Sequence, residues 1–289
     1  DYRMVVRFEA PSGRLYDVPG FFDGDGQGGP HGRLWRARFL PDEPGNWRYE
    51  VDFRSGNDIA ISLNPTVGVE LAPDGETGVL RVGPMTHANA EGFYKRGRLE
   101  YVGAHHLRFS DGTWWLKAGS GSPENFLGFA GFDDTIDLNG GLATPELTNG
   151  VHHYEAHVDE AQANAPYFVG NQGVDSAGIT GAIQYLASQR VSSIYVLLNN
   201  VQGDGREVYP WVTWWDPERF DLSKLRQWYA VLDFAQRRGI MLHLLFFEAE
   251  NWHSVDDPQR ALYLREMIAR FGAFPAVKWN LQEEALSLI

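Results

Sequence analysis

The hydrophobic period of this chain changes once, and that change limits the folds open to it. Up to about residue 85, apolar and polar residues alternate. Trp35, Ala37 and Phe39 alternate with Arg36 and Arg38, and Trp47, Tyr49, Val51 and Phe53 alternate with Arg48, Glu50 and Asp52. A period of two places one set on one face of a strand. Between the runs lies Pro41-Asp42-Glu43-Pro44-Gly45. It reads as a turn, because proline presets φ and glycine takes backbone angles closed to other residues. The two runs predict a hairpin with one buried face. Residues 20–32 and 57–65 read as loops. Short strands separated by turns predict a β-sandwich over residues 1–85. Residues 86–112 read as a connector with room for one more hairpin. His105 and His106 fall there, and adjacent residues point to opposite faces of a strand, which makes them a poor chelate.

From Trp114 the pattern becomes strand, loop, helix. A strand is predicted at Trp114–Ala118, followed by a long insert over 120–178 rich in Gly, Asn, Asp and His. A helix is predicted from Thr180, its cap, to Arg190, then a strand at Ile194–Leu198. A second helix begins near Asp221, with Leu222, Leu225, Tyr229 and Leu232 at helical spacing, and Gly239 closes it. The next strand is Ile240–Phe247. A third helix has Asp257 as cap, Pro258 at its first position, and Ala261, Leu264, Ile268 and Phe271 as its buried stripe. A last strand starts at Val277. Repeated units of about 40 residues predict a parallel sheet with right-handed crossovers. A doubly wound sheet and a (β/α)8 barrel both satisfy that pattern.

The predicted strands end in polar groups. Lys117 closes the first and is followed by Glu124 and Asn125. Asn199 and Asn200 close the second, Glu248, Glu250 and Asn251 the third, and Glu283 and Glu284 the last. In parallel α/β folds the ligand site lies at these strand ends. Alternation along the last strand puts Trp279, Leu281 and Glu283 on one face and Lys278, Asn280, Gln282 and Glu284 on the other. The rest of the sequence narrows the chemistry. A net charge of −13 argues against nucleic acid. No apolar run is long enough for a membrane span. Without cysteine there is neither a disulfide nor a thiolate metal site. No phosphate-binding glycine motif and no Gly-x-Ser-x-Gly elbow occurs. His152, His153, His157 and Asp159 are the nearest approach to a ligand set, but their surroundings read as loop. Carboxylates with amides and aromatics fit glycoside hydrolysis, in which one carboxyl group protonates the leaving oxygen and a second acts as nucleophile or base. The 10 Trp, 12 Tyr and 17 Phe favour a ligand with apolar ring faces, such as a sugar.

Several blocks together carry a family resemblance. They are Ala10-Pro11-Ser12-Gly13, the run Val18–Gly24, and Trp35–Trp47. Further on come Lys117 with Ser122–Leu127, Gly203-Asp204-Gly205, Asp221–Trp228, Tyr263–Phe271 and Trp279–Glu284. The chain resembles a bacterial family of predicted glycoside hydrolases with an N-terminal β-sandwich of unassigned function and a clan-A-like TIM barrel. The resemblance implies a β-sandwich followed by a (β/α)8 barrel, with about four βα units in residues 113–289. The clan pattern Trp-x-x-x-Asn-Glu, laid on Trp279, implies Glu284 as acid/base. Glu283 stands where the clan has an amide, so it becomes an alternative acid/base or a substrate contact. The clan's nucleophile, at the end of a seventh strand, is expected beyond residue 289. Lys117, Glu124, Asn125, Asn199, Asn200, Asp204, His243, Glu248, Glu250 and Asn251 are the expected substrate contacts, with Trp214 and Trp215 stacking on sugar rings. The expectation is a retaining glycoside hydrolase acting on an oligo- or polysaccharide, without cofactor or metal. It would be secreted or periplasmic, with leader residues already removed before Met4-Val5-Val6-Arg7-Phe8. The alternatives are a non-catalytic carbohydrate-binding protein and a surface adhesion module.

Overall fold

The structure is a computed structural model that describes residues 1–84, 90–119, 121–136, 150–201, 208–248 and 255–283. The chain forms two compact units, Asp1–Asn89 with Asp256–Phe274, and Ala90–Val255 with Pro275–Ile289.

The first unit holds β1 (Tyr2–Glu9), β2 (Leu15–Phe22), β3 (Trp35–Ala37), β4 (Gly45–Ser55), β5 (Val69–Glu70) and β6 (Thr77–Val82). They form one antiparallel sheet in the order β3-β2-β1-β4-β5, with β6 also paired to β4. The predicted turn before β4 ends at Gly45, whose φ is 133°; a Cβ there would run into Pro11. Alternation sends Met4, Val6 and Phe8 inward with Trp47 and Phe53. In a flat sheet β3 and β4 would stand about 14 Å apart, three strand spacings. Yet the rings of Trp35 and Phe53 have centroids 5.2 Å apart. The sheet therefore curls over on itself and buries this core between its two halves. One continuous curled sheet replaces the predicted sandwich of two sheets.

Helix α3 (Asp257–Phe271) belongs to this unit and packs on β2 and on the 3-10 turn Ile59–Ile61. Its cap is Asp256, which accepts from the Gln259 amide at 2.9 Å. The buried face is Tyr263, Met267, Ala269, Arg270 and Phe271; of the predicted stripe Phe271 is buried and Leu264 half-buried, but Ala261 and Ile268 are exposed. Here Arg270 is buried, donates to the Phe22 carbonyl at 2.8 Å and to Glu266 at 2.7 Å, and lies over the Phe21 ring.

The second unit departs further from expectation. β7 (Leu99–Glu100), β8 (Leu107–Phe109) and β9 (Trp114–Trp115) form an antiparallel sheet. The predicted first barrel strand stops after Trp115, which is buried with Phe93, Phe109, Met241 and Ala276. Leu116 is exposed. After α1 (Ala177–Ser188) comes β10 (Ser193–Leu197), then the hairpin β11 (Trp211–Thr213) and β12 (Asp216–Phe220). Thr180, the predicted cap of α1, lies inside it and donates its hydroxyl back to the Ser176 carbonyl at 2.9 Å. Helix α2 (Leu222–Arg237) begins as predicted, with Asp221 accepting from the Lys224 amide, and Gly239 follows at φ 78°. Next come β13 (Met241–Phe247) and β14 (Val277–Gln282).

β10, β13 and β14 form a parallel sheet in that order. Among the described residues this is the one parallel sheet, it has three strands, and it does not close. The other three sheets are antiparallel. The expected TIM barrel of four βα units is therefore overturned. Where its first strand was expected, the chain runs beside β10 on two backbone bonds, Ser192 N to Ala118 O at 2.7 Å and Leu197 N to Glu124 O at 2.9 Å. The stretch between is Gly-Ser-Gly-Ser-Pro, and glycine and proline weaken a ladder.

Trp47 is fully buried and its Nε1 donates to the Glu43 carbonyl at 2.9 Å. Trp47→Ala should destabilise the first unit by about 3–5 kcal/mol, measured by chemical denaturation.

Candidate active site

The parallel register extends past the ends of its strands. The Leu198 amide donates to the Leu245 carbonyl at 2.9 Å, the Glu248 amide to Asn199 O at 3.3 Å, and the Glu283 amide to Phe247 O at 3.0 Å. These bonds hold the three strand ends side by side, and Glu124 joins them through its bond from Leu197. As a result Glu124, Glu248 and Glu283, distant in sequence, gather into one cluster. Each offers a carboxylate oxygen, and the three atoms lie within 4.8 Å of one another. Glu248 is buried, whereas Glu124 and Glu283 are half-buried.

Two charges 4.8 Å apart repel by about 3 kcal/mol at an effective dielectric near 20. Such a cluster is relieved by a shared proton, a cation, or donors from a ligand. The protein already supplies one donor. The Tyr195 hydroxyl donates to Glu283 Oε1 at 2.9 Å. Burial, then that hydrogen bond, then the charges of Glu283, Glu124 and Glu248 push the phenol pKa up, so Tyr195 stays a donor. The sequence reading did not pick out Tyr195. Its signal was a phenol within an apolar strand, since a buried hydroxyl needs a partner.

His243 stands opposite Tyr195 in the β10–β13 register and meets its ring edge-on, centroids 4.9 Å apart. Burial pushes its pKa down to about 4, helped by the charges of Lys278 and Lys117. It is neutral at neutral pH. Neither ring nitrogen has a partner among the described residues. Asn200 donates to Asn125 Oδ1 at 2.7 Å, which ties the loop after Glu124 to the end of β10. Asn199 is fully buried, and neither end of its amide has a partner among the described residues. Lys117 is exposed. Trp214 and Trp215 sit at the turn of the β11–β12 hairpin, with ring planes nearly perpendicular and Trp215 exposed.

The structure thus brings Glu124, Asn125, Asn199, Asn200, Glu248 and Glu283 to neighbouring strand ends, whereas His243 lies within β13. Asp204, Glu250, Asn251 and Glu284 lie outside the described residues. Along β14, Leu281 is exposed and Gln282 is buried, so the polar member of the pair is the enclosed one. His157 faces Glu160 and the Tyr185 ring, and His152 stacks on Tyr154. Among the described residues, the glutamate cluster is the group whose side chains could jointly hold a metal ion.

Residues 1–54 match a domain of unknown function, DUF5060. The match covers β1, β2, β3 and nearly all of β4. A search of curated proteins finds no match. Among solved structures, the chain is similar to a crystal structure from Bacteroides vulgatus ATCC 8482 described as a putative glycoside hydrolase, at 18% identity with a TM-score of 0.59. The likeness covers 98% of this chain and 45% of that one. The two share a fold over this length, and the chain spans under half of that protein.

The His243 shift sets a sign for acid stability. Folded His243 holds its proton less tightly than in the unfolded chain, where histidine titrates near 6.5. Its contribution is complete above about pH 6.5 and is lost as pH falls toward 4. The melting temperature should drop over that window, and His243→Leu should flatten the drop. An unchanged pH profile in the variant would show that His243 is not its source.

Proposed function

We propose that this chain carries the cleavage site of a glycoside hydrolase acting on an oligo- or polysaccharide met outside the cytoplasm. The observation that carries this reading is the cluster of Glu124, Glu248 and Glu283 at neighbouring strand ends, with Tyr195 bonded to Glu283. The described fold of the Bacteroides vulgatus protein supports it. Carboxyl groups about 5 Å apart suit retention, whereas inversion needs room for a water between them; carboxylate oxygens that come within 4.8 Å of one another favour the first.

Glu248, the most enclosed of the three, serves as acid/base, because burial favours a protonated carboxyl group. Glu283, oriented by the Tyr195 hydroxyl, serves as nucleophile. In the first step a Glu283 oxygen bonds to the anomeric carbon as the glycosidic C–O bond breaks. The Glu248 proton goes to the departing oxygen. In the second step water attacks the same carbon, Glu248 takes its proton, and the Glu283 ester is released. Asn125, Asn199, Asn200, Glu124 and Lys117 bind sugar hydroxyls, and Trp214 or Trp215 stacks on a ring. Glu284, next in the chain, is the competing acid/base.

The test uses aryl glycosides and a panel of plant and algal polysaccharides. Glu248→Gln and Glu283→Gln should each lower kcat by about a hundredfold or more. NMR of the first-formed product should show the retained anomer. Loss of activity in Glu284→Gln with full activity in Glu248→Gln would move the acid role to Glu284. A wild type that binds these sugars and cleaves none would make the chain a carbohydrate-binding protein.

A further inference from the structure

The N-terminus of α2 carries a buried polar group that the proposed chemistry does not use. Lys224 is fully buried and Asp221 is 5% exposed. The Lys224 Nζ donates to the Trp211 carbonyl at 2.9 Å and to the Asp134 carbonyl at 3.2 Å, and it lies 3.9 Å from the centre of the Tyr209 ring. The Tyr209 hydroxyl donates to the same Asp134 carbonyl at 2.6 Å. The Asp221 amide donates to the Pro210 carbonyl at 2.9 Å. One turn of helix thus grips two separate stretches, residues 133–136 and the start of β11. β11 and β12 are the arms of the hairpin whose turn presents Trp214 and Trp215.

Three acids act on this one cation: Asp221, Asp134 and Asp133. Two of them are provided for. Asp133 accepts from the Ser223 hydroxyl and from the Asn171 amide, the latter at 2.7 Å. Asp134 Oδ1 accepts from the Asn171 side chain at 2.7 Å. Asp221 Oδ1 accepts from the Lys224 amide at 2.9 Å, but its buried Oδ2 has no donor among the described residues. A buried carboxylate oxygen without a donor is costly, and the acid that acts on Asp221 is Asp134. A proton on Asp221 removes both problems. It cancels a surplus charge and gives Oδ2 a hydrogen to donate to Asp134. Burial, with the charge and carboxyl group of Asp134, raises the Asp221 pKa to about 6 against the pull of Lys224. Burial lowers the Lys224 pKa to about 8 against the three acids, so Lys224 keeps its charge through the range in which Asp221 titrates.

We infer that Asp221 and Asp134 form a proton-operated latch: one proton shared between them clamps residues 133–136 and the hairpin of β11 and β12 to α2 in mild acid, and its loss loosens the clamp. Asp221 binds its proton more tightly in the closed state than in an open chain, where aspartate titrates near 3.9. Its contribution is therefore complete below about 3.9 and is lost as pH rises through about 6. That the hairpin holds a sugar ring rests on the hydrolase reading above; the latch itself does not.

The experiment is hydrogen exchange of the whole chain, read by mass spectrometry at about pH 5 and about pH 7.5 and corrected for the intrinsic rate at each. Peptides over residues 126–136 and 208–216 should be about tenfold better protected at the lower pH, while peptides over 225–236, the body of α2, should not differ. Asp221→Asn keeps a cap acceptor and puts a permanent donor where the shared proton sits, so protection should be high at both pH values. Asp134→Asn supplies the donor from the other side with the same result, and covers the case in which the first variant fails to fold. Equal protection at the two pH values in the wild type, a difference that survives in either folded variant, or a change spread evenly over α2 would overturn the latch. A latch that behaves in this way in a chain that cleaves no glycoside removes the hydrolase reading and leaves this one standing.

Discussion

The parallel register of β10, β13 and β14 is the constraint on which the candidate site depends. The β10–β13 ladder continues by two bonds, Leu198 to Leu245 and Glu248 to Asn199, and the β13–β14 ladder by one, Glu283 to Phe247. A slip of one residue would reverse which face each strand-end side chain meets. The cluster of three glutamates therefore follows from backbone hydrogen bonding. The side chains alone would repel, and only a scaffold that pays for their approach elsewhere can hold them together. Its source is the apolar run of β13, buried at every position, between two partner strands.

Two arginines of α3 do comparable work in the first unit. Arg270 reaches the Phe22 carbonyl and Arg265 the Met4 carbonyl, so the helix is pinned to the sheet at two points by charged groups donating to backbone. Bonds of this kind are stronger than neutral ones and costly to leave unmade once buried. Arg270 is fully satisfied by Glu266, Phe22 and the Phe21 ring.

Much of the site was legible in the chain. The alternation of Trp47, Tyr49, Val51 and Phe53 located β4, the cap at Asp221 located α2, and the polar ends of the later strands marked the residues that gather. Both glutamates at strand ends and the Glu124-Asn125 pair were named from position alone. The face of the last strand was misjudged in part. Alternation grouped Leu281 with Trp279 on one face, but Leu281 is exposed while Gln282, on the other, is buried. β14 is an edge strand of an open three-stranded sheet, so the side that an inner strand would bury is left bare. The helical stripe of α3 held at Phe271 and failed at Ala261 and Ile268. Periodicity counts arginine as a solvent residue, whereas here the sheet offers carbonyls that make its burial favourable.

Local order was thus decided by residue type, because strand alternation, caps and turn glycines act over a few neighbours. The chain alone specified where α2 begins, where β4 runs and which strand ends are polar. It could not decide how the strands close. The stretch from Trp114 reads as one barrel strand in the sequence, and only the packing of Trp115 against Phe93, Phe109 and Met241 made Trp114–Trp115 the edge of an antiparallel sheet. Nor could it decide that Tyr195 would face Glu283 across 88 residues. Both outcomes depend on contacts between residues far apart in sequence, and no local period records those.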